Sequence, residues 1–314
     1  TCDGSIVDLG CGCGEAAPTD CADGSSTCDE CPSELTEISI DVNPGWNWFS
    51  VNVEPCNLPL AECSEYDADN DGDYDHHDLL VGNVLASIEE QADLLPGGSV
   101  YLKSSFGYAD YYPTYGWFGG ADYVGVERGY KLRMDHDMVD DEGNTLVQIN
   151  YSGMPSIASN RPIEVSAGWN WIGYIPDVNL NVNDALASLT FADNDYIKTL
   201  GSYANHYTGY GWFPLDYNMK PGKMYMLNSS YDGELVYPEN ESLARFENNE
   251  SMNENEFKYN MFEFNGSITA KIDIDDAVIS ESDILSAYVN GELRGHTSPV
   301  VFPLTNEYVL PIMK

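Results

Sequence analysis

Basic residues are scarce in this chain, with 13 Lys and Arg against 52 Asp and Glu. A protein with that balance repels nucleic acid and anionic membranes and attracts cations, so nucleic-acid binding is excluded as a function class. Long apolar runs are also missing: none approaches the roughly 18 to 20 residues that span a bilayer, and no membrane span is expected. The first residues carry no basic, apolar, cleavable leader, so the chain reads as a mature or trimmed product. Cysteine is absent after residue 63. None of the five histidines (His76, His77, His136, His206, His296) lies in an HExxH pattern or beside a GxSxG serine, and carboxylate pairs are too common in so acidic a chain to mark a glycosidase. A non-catalytic protein is expected.

What is present points to β structure. The chain has 22 tyrosines and 28 glycines within 314 residues. With many Asn and Asp, that composition suits short strands joined by tight turns. The length allows two or three domains. The eight cysteines, Cys2, Cys11, Cys13, Cys21, Cys28, Cys31, Cys56 and Cys63, cluster in a polar, Gly-rich start. An even, clustered set is the pattern of a disulfide framework, which persists in oxidising compartments, so an extracellular, secreted or cell-surface location is expected. "CDEC" (Cys28 to Cys31) has the spacing of half a zinc site, but "CGC" is too tight for the other half and no histidine lies near; disulfides are favoured over zinc. The pairing of the six N-terminal cysteines stays open among about 15 arrangements, and a Cys56 to Cys63 bridge is expected.

The chain repeats itself. "NPGWNWFSVNV" (43–53) returns as "SAGWNWIGYIP" (166–176), and "YLKSSFGYADYYPTYGWF" (101–118) returns as "YIKTLGSYANHYTGYGWF" (196–213), nine of 18 positions being identical. "VLASI" (84–88) answers "ALASL" (185–189), and "GYKLRM" (129–134) answers "GKMYML" (222–227). Two copies of one domain follow. Each reads as strand, short helix, strand, tight turn and strand, with Asn183 as N-cap in the second copy. The offset between copies is 123 residues at Trp46 and 101 at Val84, so copy one carries 22 extra residues between its first strand and its helix.

That insertion holds "DADNDGDYDHHD" (67–78), which fits the twelve-residue calcium loop. Asp67, Asp69, Asp71, Asp73, Asp75 and Asp78 take the ligand positions and Gly72 the sharp turn, offering hard oxygens on a flexible backbone. Calcium is the expected cofactor and its role structural, since the sister copy lacks the loop. A helix with Leu80, Val84 and Ile88 on one face follows at once. Dockerins pair two such loops, and one is present here, so cohesin binding is not expected.

The tryptophans of GWNW recur in both copies, as a shared core requires. Trp117 and Trp212 sit at a turn, where exposure is expected; with Tyr115 and Tyr210 they are the candidates for stacking on a sugar. Sequons stand at Asn150, Asn228, Asn240, Asn249 and Asn265. "YPENESLARFENNESMNENEF" (237–257) is polar and aperiodic, a solvated linker. Beyond it, "ILSAYVNGELRGHTSPVVFPL" (284–304) alternates around an Asn290-Gly291 hairpin turn.

These elements resemble modules of secreted surface proteins of the Bacteroidetes type: the GWNW repeats, a dockerin-like calcium loop, and "SDILSAYVNGELRGHTSPV" (282–300), similar to a VNGExRG β-sandwich module. The resemblance implies export, surface attachment and modular assembly. Modules similar to the last one continue further, which implies either a trimmed chain or a sheet edge completed by another molecule. The expected architecture is mainly β: a Cys-rich segment (1–35), a first repeat with the inserted loop (36–160), a second repeat (161–238), a linker (239–257) and a β-sandwich-like domain (258–314). Expected partners are further copies of the chain, other surface proteins by strand addition at the last domain, or glycans. A structural protein of a surface layer or filament is the leading expectation, and an adhesin or carbohydrate-binding protein the second.

Overall fold

The computed structural model describes residues 19–20, 26–27, 35–55, 79–94, 100–121, 123–134, 147–215, 217–238, 259–273, 279–302 and 304–313. All eight cysteines, the calcium-loop positions Asp67, Asp69, Asp71, Asp73, Asp75 and Asp78, and the linker 239–257 lie outside the described residues. The molecule is mainly β, as composition and turn chemistry indicate. No helix among the described residues is long and apolar enough to cross a membrane.

A short ladder joins β1 (Thr19–Asp20) to β2 (Ser26–Thr27). The first repeat contains β3 (Thr36–Val42), β4 (Gly45–Phe49), β5 (Val53–Pro55), β6 (Leu79–Leu80), α1 (Val81–Val84), α2 (Ala86–Leu94), β7 (Val100–Lys103), β8 (Tyr108–Tyr112), β9 (Gly116–Gly119), β10 (Tyr123–Val124), β11 (Tyr130–Met134) and β12 (Val147–Pro155). The second has β13 (Ile163–Val165), β14 (Gly168–Ile172), β15 (Leu180–Asn181), α3 (Val182–Ala185), β16 (Tyr196–Lys198), β17 (Tyr203–Tyr207), β18 (Gly211–Phe213), β19 (Asn218–Met219), β20 (Tyr225–Ser229) and β21 (Gly233–Leu235).

The duplication is visible in topology. The antiparallel sheet β4-β11-β7-β8-β9 matches β14-β20-β16-β17-β18 strand for strand, and the ladder β6-β10 matches β15-β19. Local chemistry explains why. Gly45 (φ 91°) and Gly168 (φ 104°) take a left-handed turn that a side chain disfavours. The asparagine two residues on then pins that turn. Asn47 Oδ1 accepts from Asn43 N–H at 2.8 Å and its Nδ2 donates to Asn43 O at 2.7 Å; Asn170 repeats both bonds with Ser166 at 2.9 and 2.7 Å. The N of GWNW is thus a turn clamp.

Two sequence expectations shift. Tyr130 pairs with Phe49 and Tyr225 with Ile172, so the closing strands align Tyr on Tyr, two residues away from the match of "GYKLRM" to "GKMYML". The tyrosine hydroxyls decide this register: Tyr130 Oη accepts from Gly125 N–H at 2.9 Å and Tyr225 Oη from Lys220 N–H at 2.8 Å. The N-cap of α3 is Asn181, whose Oδ1 accepts from Asn183 N–H at 3.0 Å, because Asn183 Oδ1 is engaged by Trp212 N–H at 3.0 Å. In the first repeat α2 follows α1, lengthening the connection to β7 by five residues relative to the path from α3 to β16.

The inner faces of both sheets pack on the helices in one apolar cluster running through both repeats, with Phe49, Leu85, Ile88, Leu102, Ile197 and Leu227 at its centre. The repeats meet where β4 and β14 end. Ser50 N–H donates to Gly222 O at 3.3 Å, Ser50 Oγ to Lys223 O at 2.9 Å, and Gly173 N–H to Glu127 O at 2.9 Å. Ser50 and Gly173 are equivalent positions, so each repeat caps the other across a near two-fold relation. Nearby, the buried Glu54 carboxylate is ion-paired to Arg161 and accepts from Ser156 Oγ at 3.1 Å.

The last unit holds the ladder β22 (Ser267–Ala270), β26 (Glu307–Met313) and β25 (Val300–Phe302), with the hairpin of β23 (Leu285–Val289) and β24 (Glu292–Thr297) against β26. Asn290 (φ 52°) and Gly291 (φ 83°) both lie in the left-handed region, the two-residue turn their sequence predicts.

Candidate functional site

Alternation along β4 sends Asn47 and Phe49 inward and Trp46 and Trp48 to the outer face of the sheet. Both tryptophans are buried there, though not by the helices. Across the ladder Lys131 stands opposite Trp48 and Lys103 opposite Lys131. In the second repeat Lys198 occupies the place of Lys103, and Met226 that of Lys131. The repeat joint brings these lysines together in a chain that has few cations.

Lys131 Nζ lies 4.0 Å from the ring centre of Trp48, 4.8 Å from Trp171 and 5.6 Å from Phe264. Rings at such distances favour a cation. The segment before β22 crosses the cluster and partners it: Lys103 Nζ is 2.7 Å from Glu263 Oε1, Lys131 Nζ donates to Glu263 O at 3.4 Å, and Lys198 Nζ donates to Asn265 O and Oδ1 at 3.1 and 2.9 Å. Asn265 Nδ2 donates to Thr199 O at 3.2 Å, so that sequon side chain is engaged in the joint.

Burial pushes the Lys131 ammonium down to about 7, with repulsion from Lys198 and Lys103 in the same direction and Glu263 opposing. Burial also lowers Lys198. The sign of the linkage follows: between about pH 7 and 10 the unfolded chain holds a proton on Lys131 that the folded chain does not, so stability rises with pH across that window. Lys131→Met is expected to leave the protein as stable or more stable at pH 7 and to remove a rise approaching about 1.4 kcal/mol per pH unit. Unfolding free energies at pH 7 and pH 9 check this; an unchanged slope in the variant overturns it.

The stacking candidates divide. Tyr115 and Tyr210 are exposed, at 80% and 46%. Trp212 is not: it is 2% exposed and packs edge-on to Phe191 with ring centres 4.8 Å apart, so it has no face for a sugar. Trp117 is half-buried, lies against the helical core, and donates from Nε1 to Glu89 Oε1 at 2.7 Å. Burial raises that carboxyl, while the Trp117 bond lowers it. Conversely Trp169, a GWNW tryptophan expected in the core, is 50% exposed. In the GWF triplets alternation turns Trp117 and Trp212 inward and Phe118 and Phe213 outward.

The outer faces of the two repeats then differ. In the second, Tyr196 Oη donates to Ser267 Oγ at 2.8 Å, Tyr203 Oη lies 3.0 Å from Thr269 Oγ1, and Phe302 inserts between Tyr207 and Phe213 with ring centres 5.1 and 5.3 Å away. Tyr203 and Phe213 end 6% and 5% exposed. Their counterparts in the first repeat, Tyr108 and Phe118, are each 54% exposed, with Tyr112 at 53%. Tyr108 stacks on Tyr101 at 5.8 Å, and Tyr112 meets Phe118 edge-on at 5.7 Å, so an ordered aromatic surface faces outward. Among the described residues no group of three or more His, Cys, Asp or Glu is placed to hold a metal ion.

No protein-family model, curated protein sequence or solved structure matches the chain.

Proposed function

We propose that this is a non-catalytic extracellular structural protein, stabilised by disulfides and calcium, that forms part of a surface layer or filament. The observation that carries the reading is the use to which the fold puts its reactive side chains. Lys103, Lys131 and Lys198 are engaged by the segment 263–265, and the tyrosine hydroxyls of β16 and β17 by Ser267 and Thr269. Groups that could bind a substrate are instead the joints between modules. The cysteine cluster supports the extracellular location, and the Asp67 to Asp78 loop supports calcium as a local staple.

A second reading, an adhesin that binds carbohydrate, is favoured by the exposed rings of Tyr112, Tyr115 and Phe118 around Asp110, since flat aromatic faces suit sugar rings. Light scattering and negative stain of the full chain separate the two. The structural reading expects particles larger than one chain, and a melting temperature that falls when calcium is chelated. Single chains throughout, with glycan-array binding lost in Tyr115→Ala, would transfer the function to the adhesin; an unchanged melting temperature removes calcium.

A further inference from the structure

We propose that Lys198 and Asn265 join covalently, the lysine Nζ displacing the side-chain amide nitrogen of the asparagine to give an amide cross-link between the second repeat and the C-terminal unit. The bond goes beyond the structural reading above and does not depend on it. No further reagent is required.

The two groups are already in contact. Lys198 closes β16, and its Nζ donates to Asn265 Oδ1 at 2.9 Å and to Asn265 O at 3.1 Å. Cγ, the atom to be attacked, is the carbon that carries Oδ1. The amide is fixed at its other end, where Nδ2 donates to Thr199 O at 3.2 Å and to Met313 Sδ at 3.4 Å. Thr199 follows Lys198 in the chain and Met313 ends β26, so both of the units to be joined anchor the reacting amide. Groups held in such contact react as though at concentrations of about 10⁵–10⁸ M when their geometry is good.

The partner that Lys198 has is the second observation. Lys103, which holds the equivalent place in the first repeat, takes the carboxylate of the cluster, with Glu263 Oε1 at 2.7 Å. Lys198 faces a neutral amide instead. The rings of Trp169 and Trp48 flank it, with centres 5.3 and 5.9 Å from Nζ. Burial there lowers its pKa, so a larger share of Nζ carries the free lone pair that a nucleophile needs. Lys131 lies over the same Trp48 ring at 4.0 Å, and two ammonium groups in that place repel. A cross-link turns one of them into a neutral amide.

The step balances within the chain. The Nζ lone pair attacks Cγ, the Nζ–Cγ bond forms as the Cγ–Nδ2 bond breaks, and the proton that Nζ loses leaves on Nδ2 as part of ammonia. Thr199 O, already the acceptor from Nδ2, lies on the departure path. Nothing is oxidised or reduced. The product closes a covalent loop from Lys198 to Asn265, so the C-terminal unit stays on the second repeat even where its noncovalent contacts yield.

Mass spectrometry of the full chain, unfolded and with its cysteines reduced, tests this directly. The expected mass lies about 17 Da below that of the sequence, the weight of one ammonia lost to the nucleophile. Proteolysis is expected to release a fragment in which the peptides of Lys198 and Asn265 remain joined. Lys198→Arg keeps a cation beside Asn265 but offers no free amine; it is expected at its full sequence mass, with no joined fragment. A wild-type chain at its full sequence mass, with the two peptides separate, overturns the cross-link. So does a loss that persists in Lys198→Arg, because Asn265 can also close on the backbone nitrogen of Gly266 and release the same ammonia. Either result, in a chain that still forms particles larger than one molecule, leaves the structural reading intact.

Discussion

Replacing Arg161 with methionine is expected to lower the free energy of unfolding by about 3–5 kcal/mol. The guanidinium is the ion partner of Glu54, whose side chain is 2% exposed at the junction of the two repeats. Methionine keeps much of the volume but takes away the positive charge, and a carboxylate deprived of its partner in a dry site costs far more than the pair is worth against a hydrophobic replacement. The double variant Glu54→Gln with Arg161→Met separates these effects. It removes the charge as well, and is expected to recover most of the loss, because Gln can still accept from Ser156 Oγ. Chemical denaturation of the two variants beside the wild type measures both numbers. If the double variant is no better than the single one, the pair acts through shape and hydrogen bonding and not through charge.

Gly173→Val is expected to cost about 2–4 kcal/mol, and to weaken the joint between repeats more than either repeat. A Cβ at Gly173 would lie 2.1 Å from Val126 O and 3.0 Å from Arg128 N. Both are backbone atoms of the opposing repeat, so no side-chain rotation relieves the overlap. The chains would have to separate there, breaking the Gly173 N–H to Glu127 O bond and the bridge between Arg128 and Ile172. Gly120→Ala serves as the control, since nothing lies within 4 Å of a Cβ at that site. A calorimetric trace that broadens or splits in Gly173→Val, with Gly120→Ala close to wild type, is the expected signature. Equal transitions in both would mean that the joint tolerates a wider spacing.

The parts of the fold that could be read from the sequence are those controlled by local chemistry. The Asn290-Gly291 turn acts within two residues, so the pattern carries the conformation; the asparagine clamp on the left-handed glycine that opens GWNW is equally local but went unread. The duplication was legible for the same reason. What escaped was the choice of face. Alternation divides each strand into two sides but does not say which side meets the helices, and Trp46 and Trp48 lie on the side covered by the segment before β22. That choice depends on Lys131 meeting Glu263 and Phe264, which lie more than 130 residues further along the chain, and nothing local links them. Trp212 was misread for a related reason: a residue beside a turn is exposed only when the sheet face it occupies is open, and Phe191 closes that face.

The two repeats also differ at one connection in a way that matters for engineering. The chain runs from Pro55 at the end of β5 to Leu79 at the start of β6 in the first repeat, whereas the corresponding run in the second reaches β15 at Leu180 soon after Ile172 ends β14. Strands β4 and β6 of the first repeat keep the pairing that β14 and β15 have in the second. Because the entropy of closing a loop grows only slowly with its length, the fold treats this connection as a port. The exposed Asp177 of the second repeat is therefore the place to graft a foreign segment, an epitope, an enzyme or a second metal loop, since Pro176 is buried and Val178 packs on the core with its carbonyl accepting from Tyr174 Oη at 2.7 Å.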